Sequence, residues 1–418
     1  MLETNKKPRP ALFLAKLILL VGSLLMTMAF GELIIRVVYP ELGRAQHYDS
    51  GLGWATVEYQ KFDASDPGED QRARLLFLGD SFLAGSGVRS MADRFPVLLG
   101  EQHEDRLETR IFAAGGWGTD QQLLAFKEKG TAWRPDVVIL AFCANNDISD
   151  ILANDADYKH SKPKPYFAIE QDVLVLFDSE GNPLDYDAYS QPHETSSWQF
   201  RSHFVDFVRY QLSGLNAAPD VSLAELEERY RRVDARYQQY GRRRFKDHDI
   251  RDAVFASSDE LTSSPQSEVT SLAAYIGEDF ELNTYQWRVL ERIVGRLHED
   301  VAAAGGRLFV MLLPVILGPR EIHTITGGSF ERRFETPDGP ITIRSAEPRE
   351  RIVAMTQRLD IPLLDPTQDF IEFVTENDLL EETWPDETDR HFSELGHRFL
   401  ADWLSDRSDL WTSTESAK

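Results

Sequence analysis

The chain has 418 residues, with 45 Lys and Arg against 69 Asp and Glu, for a formal net charge of −24. That excess of acid argues against a nucleic-acid partner, because phosphate backbones recruit Lys and Arg. The length calls for one large domain with insertions or for two domains. One cysteine, Cys143, excludes an intramolecular disulfide and a cysteine-based zinc site.

Residues 1–10 carry Lys6, Lys7 and Arg9 ahead of the apolar run "ALFLAKLILLVGSLLMTMAF", which "GELIIRVVYP" continues amphipathically. A helix of that run is ~30 Å long, about the thickness of a bilayer core. The pattern predicts a transmembrane anchor over residues 11–38. Its basic flank stays cytoplasmic, and Lys16 snorkels toward that side. A cleaved signal peptide, with Thr27 and Ala29 as the small residues before a cut, is the alternative. Both readings place the remainder outside the cytoplasmic membrane. Residues 39–73 read as a linker.

From Arg74 apolar runs alternate with amphipathic ones. "RLLFLGDS" reads as a buried strand, "RFPVLLGEQ" as a short helix and "RIFAAGG" as a second strand ending in glycines. In "TDQQLLAFKEKG", Thr119 is placed to cap a helix that Gly130 ends. "PDVVILAFCANND" is a continuously apolar third strand, the pattern of a parallel strand buried on both faces. Residues 152–283 interrupt the rhythm. There "KPYFAIEQDVLVLFDSEGNPL" predicts a hairpin, and "SLAELEERYRRVDARYQQYGRRRF" predicts a helix opened by a capping box of Ser222 and Glu225. The rhythm resumes over 284–410 with the helix "TYQWRVLERIVGRLHEDVAAAGG", the strand "RLFVMLLP", the helix "EPRERIVAMTQRLD", the strand "IPLLDP" and a closing helix around "ELGHRFLADWL". Residues 411–418 form a tail. The alternation predicts an α/β fold on a doubly wound parallel sheet, written in two segments, 74–151 and 284–410, with a mainly helical insertion between them.

Ligands on such sheets gather at the carboxyl ends of the strands, and those ends carry chemistry. The first strand ends in Gly79-Asp80-Ser81. The second ends in "AAGGWGTD", with Gly115, Gly116 and Gly118. The third ends in Asn145-Asn146-Asp147, and "WPDETDRHFSELGH" near the C-terminus offers Asp386, Asp389 and His391. A serine nucleophile needs a base, the base needs an orienting acid, and the tetrahedral intermediate needs donors for its oxyanion. Ser, His and Asp fit the first set; the amides of Ser81 and Gly118 and the carboxamide of Asn146 fit the second. No Gly-x-Ser-x-Gly elbow is present, which argues against the ordinary α/β-hydrolase fold.

These four blocks in this order resemble the SGNH (GDSL-type) hydrolases, over residues 74–148 and 284–405. The anchor and large insertion resemble that family's bacterial membrane-bound members. The resemblance implies a three-layer, flavodoxin-like fold with Ser81 as nucleophile and His391 as base. It also implies Ser81, Gly118 and Asn146 as oxyanion donors. The family sets two residues between acid and histidine, where this chain has Thr388. Asp389 gives the tighter Asp-x-His spacing of relatives of alginate O-acetyltransferases and is the expected acid, with Asp386 as the alternative. The function implied is a membrane-anchored, periplasmic serine esterase that removes a small acyl group from a carbohydrate, without metal or organic cofactor. An O-acetyltransferase with the same triad and an inactive binding or scaffold protein are the alternatives.

Each residue also has a plainer reading. Asp80 and Ser81 serve as helix caps, Gly118 as a turn in competition with Gly115 and Gly116, and Asn146 as a turn residue beside Asn145. Asp147 is expected to bond the loops that hold the donors, and His397 to pack inside the last helix. Arg242, Arg243, Arg244 and Lys246 read as a solvated helix end, or as a contact for an anionic polysaccharide or lipid headgroup.

Overall fold

The computed structural model describes residues 16, 19, 22, 23, 26–34, 46–49, 51–63, 72–144, 147–151, 164–178, 181–189, 273–277, 281–314, 316, 317, 324, 325, 331–334, 341–383 and 391–412. The chain divides into two units, residues 1–45 with 196–220, and residues 46–195 with 221–418. In the first unit the described positions are helical, and Leu19, Met26, Phe30, Leu33 and Ile34 are exposed. Among the described residues no helix is long and apolar enough to cross a membrane. Much of the anchor expected over 11–38 lies outside them.

The second unit opens with a structured strap. β1 (Gln46–Asp49) and β2 (Gly53–Thr56) pair antiparallel, and α1 (Val57–Lys61) follows, with Thr56 accepting from the Tyr59 amide at its N-cap. The linker expected over 39–73 is therefore built into the body over 46–63. Indole, hydroxyl and ring groups spaced along it, at Trp54, Thr56 and Tyr59, find buried partners.

Five parallel strands then form the central sheet: β3 (Ala73–Gly79), β4 (Leu107–Ala113), β5 (Val137–Phe142), and later β9 (Arg307–Leu312) and β10 (Leu363–Leu364). Their order, β10-β9-β5-β3-β4, turns back after the second strand in sequence, as in a doubly wound sheet. Period-two alternation divides the core between the two faces. Leu76, Leu78, Val138 and Leu140 face one layer, with α4 (Thr119–Ala125) and later α6 (Glu281–Ala303). Leu75, Phe77, Val137 and Ile139 face the other, with α2 (Ser81–Ala84), α3 (Phe95–Gln102) and later α8 (Thr367–Glu376) and α10 (Glu394–Ser405). Both faces of these strands are buried, which is why they read as unbroken apolar runs.

Several boundaries depart from the sequence reading. Gly118, not Thr119, is the N-cap of α4; Thr119 is the first helical residue, and its buried hydroxyl has no hydrogen-bond partner. Gly130 does not stop the helix. A π-helical turn over Phe126–Gly130 carries the chain on to Trp133, and the reversal comes at Arg134, with φ of 53°. After α5 (Asp147–Asp150), the expected hairpin is a three-stranded meander of β6 (Tyr166–Glu170), β7 (Val173–Phe177) and β8 (Pro183–Leu184). Its first turn, Gln171-Asp172, takes positive φ at both residues, the geometry favoured in two-residue hairpin loops. The helix and basic run expected between 222 and 246 lie outside the described residues. Past β9, α7 (Glu347–Arg358) and α9 (Leu380–Thr383) complete the elements used below.

Candidate active site

Ser81 stands at the carboxyl end of β3, beside the point where the strand order reverses. Asp80 is the N-cap of α2: its Oδ1 accepts the Phe82 amide at 3.0 Å, and Gly85 and Ser86 donate back to the Ser81 carbonyl at 3.1 and 2.9 Å. The strand therefore stops and the chain turns within one residue, leaving the Ser81 side chain at the first helical position, half-buried.

The residue that meets it is coded 310 positions later. His391 Nε2 lies 2.6 Å from Ser81 Oγ. For Nε2 to accept the hydroxyl proton, the imidazole must carry its own proton on Nδ1. An apolar wall supports the ring, with Phe82 centred 4.6 Å from His391 and 4.9 Å from the buried Phe392. The loop after His391 is fastened from two sides. Ser393 caps α10, donates its hydroxyl to the Glu382 carbonyl at 2.6 Å and its amide to Thr383 at 2.7 Å. Glu394 Oε1 accepts both the amide and Nε of Arg89, at 3.0 and 2.9 Å, across from the nucleophile's own loop.

His397 takes no part in this contact. It is fully buried, accepts the Phe95 amide on Nδ1 at 3.3 Å and stacks on the Phe95 ring, so it serves the start of α3. Asp386 and Asp389 lie outside the described residues, as do Asn145 and Asn146.

Two loops flank Ser81 on the sheet. After β5, Asp147 bonds back to the strand's end: its Oδ2 accepts the Cys143 amide at 2.5 Å and its own amide donates to the Cys143 carbonyl at 3.0 Å. Its Oδ1 accepts Gln122 Nε2 from α4 at 2.9 Å. Burial, followed by the charge of Asp80, pushes the Asp147 carboxyl well above its ordinary value. After β4, the Gly118 amide donates to Gln121 Oε1 at 3.2 Å, so the oxyanion donor expected there is committed to a side chain in this structure. A Cβ on Gly118 would stand 2.8 Å from the backbone of Asp150 and Ile151. Close approach of two loops therefore accounts for the glycine. Gly115 and Gly116 are more exposed, and the Gly115 carbonyl accepts Trp54 Nε1 from the strap at 3.0 Å. Among the described residues no group of three or more His, Cys, Asp or Glu forms a metal-binding cluster.

No protein-family model matches the chain, and no curated protein matches it. Among solved structures it is similar to the acetyl xylan esterase AlAXEase, at 11% identity and a TM-score of 0.35, over 80% of this chain and 98% of that one. It is also similar to BT4096, a gut microbial diltiazem-metabolizing enzyme, at 11% identity and a TM-score of 0.28, over 82% of this chain and 48% of the other. Likenesses this distant do not assign a function to the chain.

Proposed function

We propose that the protein is a serine esterase in which Ser81 attacks the acyl carbonyl and His391 is the general base. The single observation that carries this reading is the 2.6 Å contact between Ser81 Oγ and His391 Nε2. That separation lies within the reach a general base needs. His391 takes the hydroxyl proton as the Ser81 Oγ–C bond forms and returns it to the leaving alcohol as the ester bond breaks. Water, deprotonated by the same imidazole, then bonds to the acyl carbon as the Ser81 Oγ–C bond breaks, and the imidazolium returns that proton to Ser81 Oγ, releasing the acid. Asp389 is the acid proposed to hold the Nδ1–H tautomer, with Asp386 as its alternative. The Ser81 amide and the Asn146 carboxamide are the proposed oxyanion donors, and Gly118 joins them only on release from Gln121.

The substrate class follows from the resemblance in the Asp-x-His block: a small acyl ester carried on a sugar. The location follows from the N-terminal apolar run, a helix over 11–38 holding the body on the outer face of the cytoplasmic membrane. Alkaline phosphatase fused behind residue 418 should be active in bacteria; an inactive fusion with a stable fold would contradict export.

Hydrolysis of 4-nitrophenyl acetate tests the chemistry. Ser81→Ala and His391→Ala should each lower kcat by about a thousandfold or more. Variants that keep the wild-type rate would remove the proposal. Supplying an oligosaccharide acceptor and identifying the acyl product separates hydrolysis from transfer.

A further inference from the structure

The insertion enters the body beside the site, and its first described residue is a fully buried lysine. Lys164 has 1% side-chain exposure and its partner Asp120 none. An unpaired ammonium so placed would be expensive. Here Nζ donates to Asp120 Oδ2 at 2.7 Å and Oδ1 at 2.9 Å, to the Asp150 carbonyl at 2.6 Å and, more weakly, to Gln121 Oε1 at 3.4 Å.

These acceptors come from different places. Asp120 and Gln121 open α4, in the loop that follows β4, and Gln121 Oε1 also receives the Gly118 amide. The Asp150 carbonyl ends α5, in the loop that follows β5 and carries Asn145 and Asn146. Apart from this ammonium, Gln122 and Asp147 tie the same two loops by a side-chain hydrogen bond, and Gly118 lets their backbones touch. Buried ion pairs add little net stability compared with apolar side chains of the same volume. Geometry is a better account of this one, since it satisfies acceptors on both loops at once.

We propose that Lys164 is a positioning residue for the oxyanion side of the site, its ammonium fastening the loop after β4 to the loop after β5. The proposal rests on the esterase reading for its catalytic consequence and on the contacts alone for the fastening. It gives the insertion a role in the site, since the holding group is supplied from beyond residue 152.

The test uses the full-length protein, Lys164→Met, and the double variant Asp120→Asn with Lys164→Met, which removes the stranded carboxylate if the single variant does not fold. Amide hydrogen exchange should rise together at residues 118–122 and 147–151, while β3 amides keep their wild-type protection. With 4-nitrophenyl acetate, kcat should fall about 10- to 100-fold with KM changed less than about threefold, the signature of lost transition-state alignment. Unchanged exchange in either loop, or a wild-type kcat in a folded variant, overturns the proposal. If the wild-type protein itself neither hydrolyses the ester nor depends on Ser81, the esterase reading has failed, and the paired exchange response still decides the fastening.

Discussion

At the scale of single residues, the contact between Ser81 and His391 depends on how closely the loop after the nucleophile approaches the loop after the histidine. Gly87 has φ of +86°, and a Cβ there would stand 2.6 Å from the Phe392 carbonyl oxygen and 2.8 Å from His391 Cβ. Gly87→Ala therefore combines an unfavourable backbone region with a collision against backbone atoms that cannot rotate away. It should destabilise the fold by about 2 kcal/mol and slow inactivation of Ser81 by a fluorophosphonate about tenfold or more, because the imidazole is displaced. Equal melting temperature and equal inactivation rate would show that the two loops do not abut. The meeting of Ser81 and His391 was legible from sequence because strand-end serines and a histidine beside acids are typed by their chemistry. The bond from Gly118 to Gln121 was not legible, since nothing in "AAGGWGTD" shows where an amide points. Lys164 was missed altogether: one lysine before an apolar run reads as solvent-exposed, and only burial against α4 reveals its partners.

At the scale of elements, the strap of residues 46–63 bears directly on the glycine loop. Trp54 Nε1 donates to the Gly115 carbonyl, and Trp117 Nε1 donates in return to the Trp54 carbonyl at 2.8 Å. Thr56 donates to the Ala113 carbonyl at 3.2 Å, and Gln121 Nε2 to Leu52 at 2.7 Å. On its other side Glu58 pairs with the buried Arg94, which also donates to the Leu83 carbonyl in α2. The strap thus touches the loop after β4 directly and reaches the nucleophile's helix through Arg94. Trp117→Phe keeps the ring in a fully buried place but removes the indole donor, and should cost about 1–2 kcal/mol in urea denaturation. A change below about 0.5 kcal/mol would contradict the role given to that bond. Strands β3, β5 and β9 were readable as apolar runs because a doubly covered parallel strand has no polar face to disguise it. The strap was not readable, because its stabilising bonds join residues about sixty positions apart. Helix α8 was passed over because "IPLLDP" was read as strand to its last residue, whereas Asp365 Oδ1 accepts the Thr367 amide at 3.1 Å where the helix begins.

At the scale of the whole molecule, the net charge of −24 sits on a body that hides several carboxyl groups. The π-helical turn brings Glu128 under the strap, where it accepts the Tyr59 hydroxyl at 2.9 Å, while Lys129 donates to the carbonyls of Tyr59, Gln60 and Phe62 at the end of α1. Burial, and after it the charge of Asp49, pushes the Glu128 carboxyl from 4.5 up to about 7. Between those two values the folded chain holds a proton on Glu128 that the unfolded chain has released. That contribution to stability is fully present below pH 4.5 and is lost as pH rises through about 7. Glu128→Gln should flatten this part of the stability–pH curve and leave the variant more stable than the wild type at pH 8, by up to about 3 kcal/mol. Parallel curves for the two proteins would rule out a buried, protonated Glu128. Overall architecture was the most legible level, since alternation of strand and helix dictates a doubly wound sheet. The insertion was the least legible, because Lys164, which bonds it to the loops after β4 and β5, belongs to no sequence pattern.

The central claim is that a hydroxyl at residue 81 is activated by an imidazole at residue 391. The most direct measurement is peptide mapping after treatment with a fluorophosphonate, which reacts with a serine only when a base has activated it. The expected result is a single modified residue, Ser81, in the wild-type protein and no modification there in His391→Ala. Modification confined to other residues, or equal labelling of Ser81 in both proteins, would contradict the account.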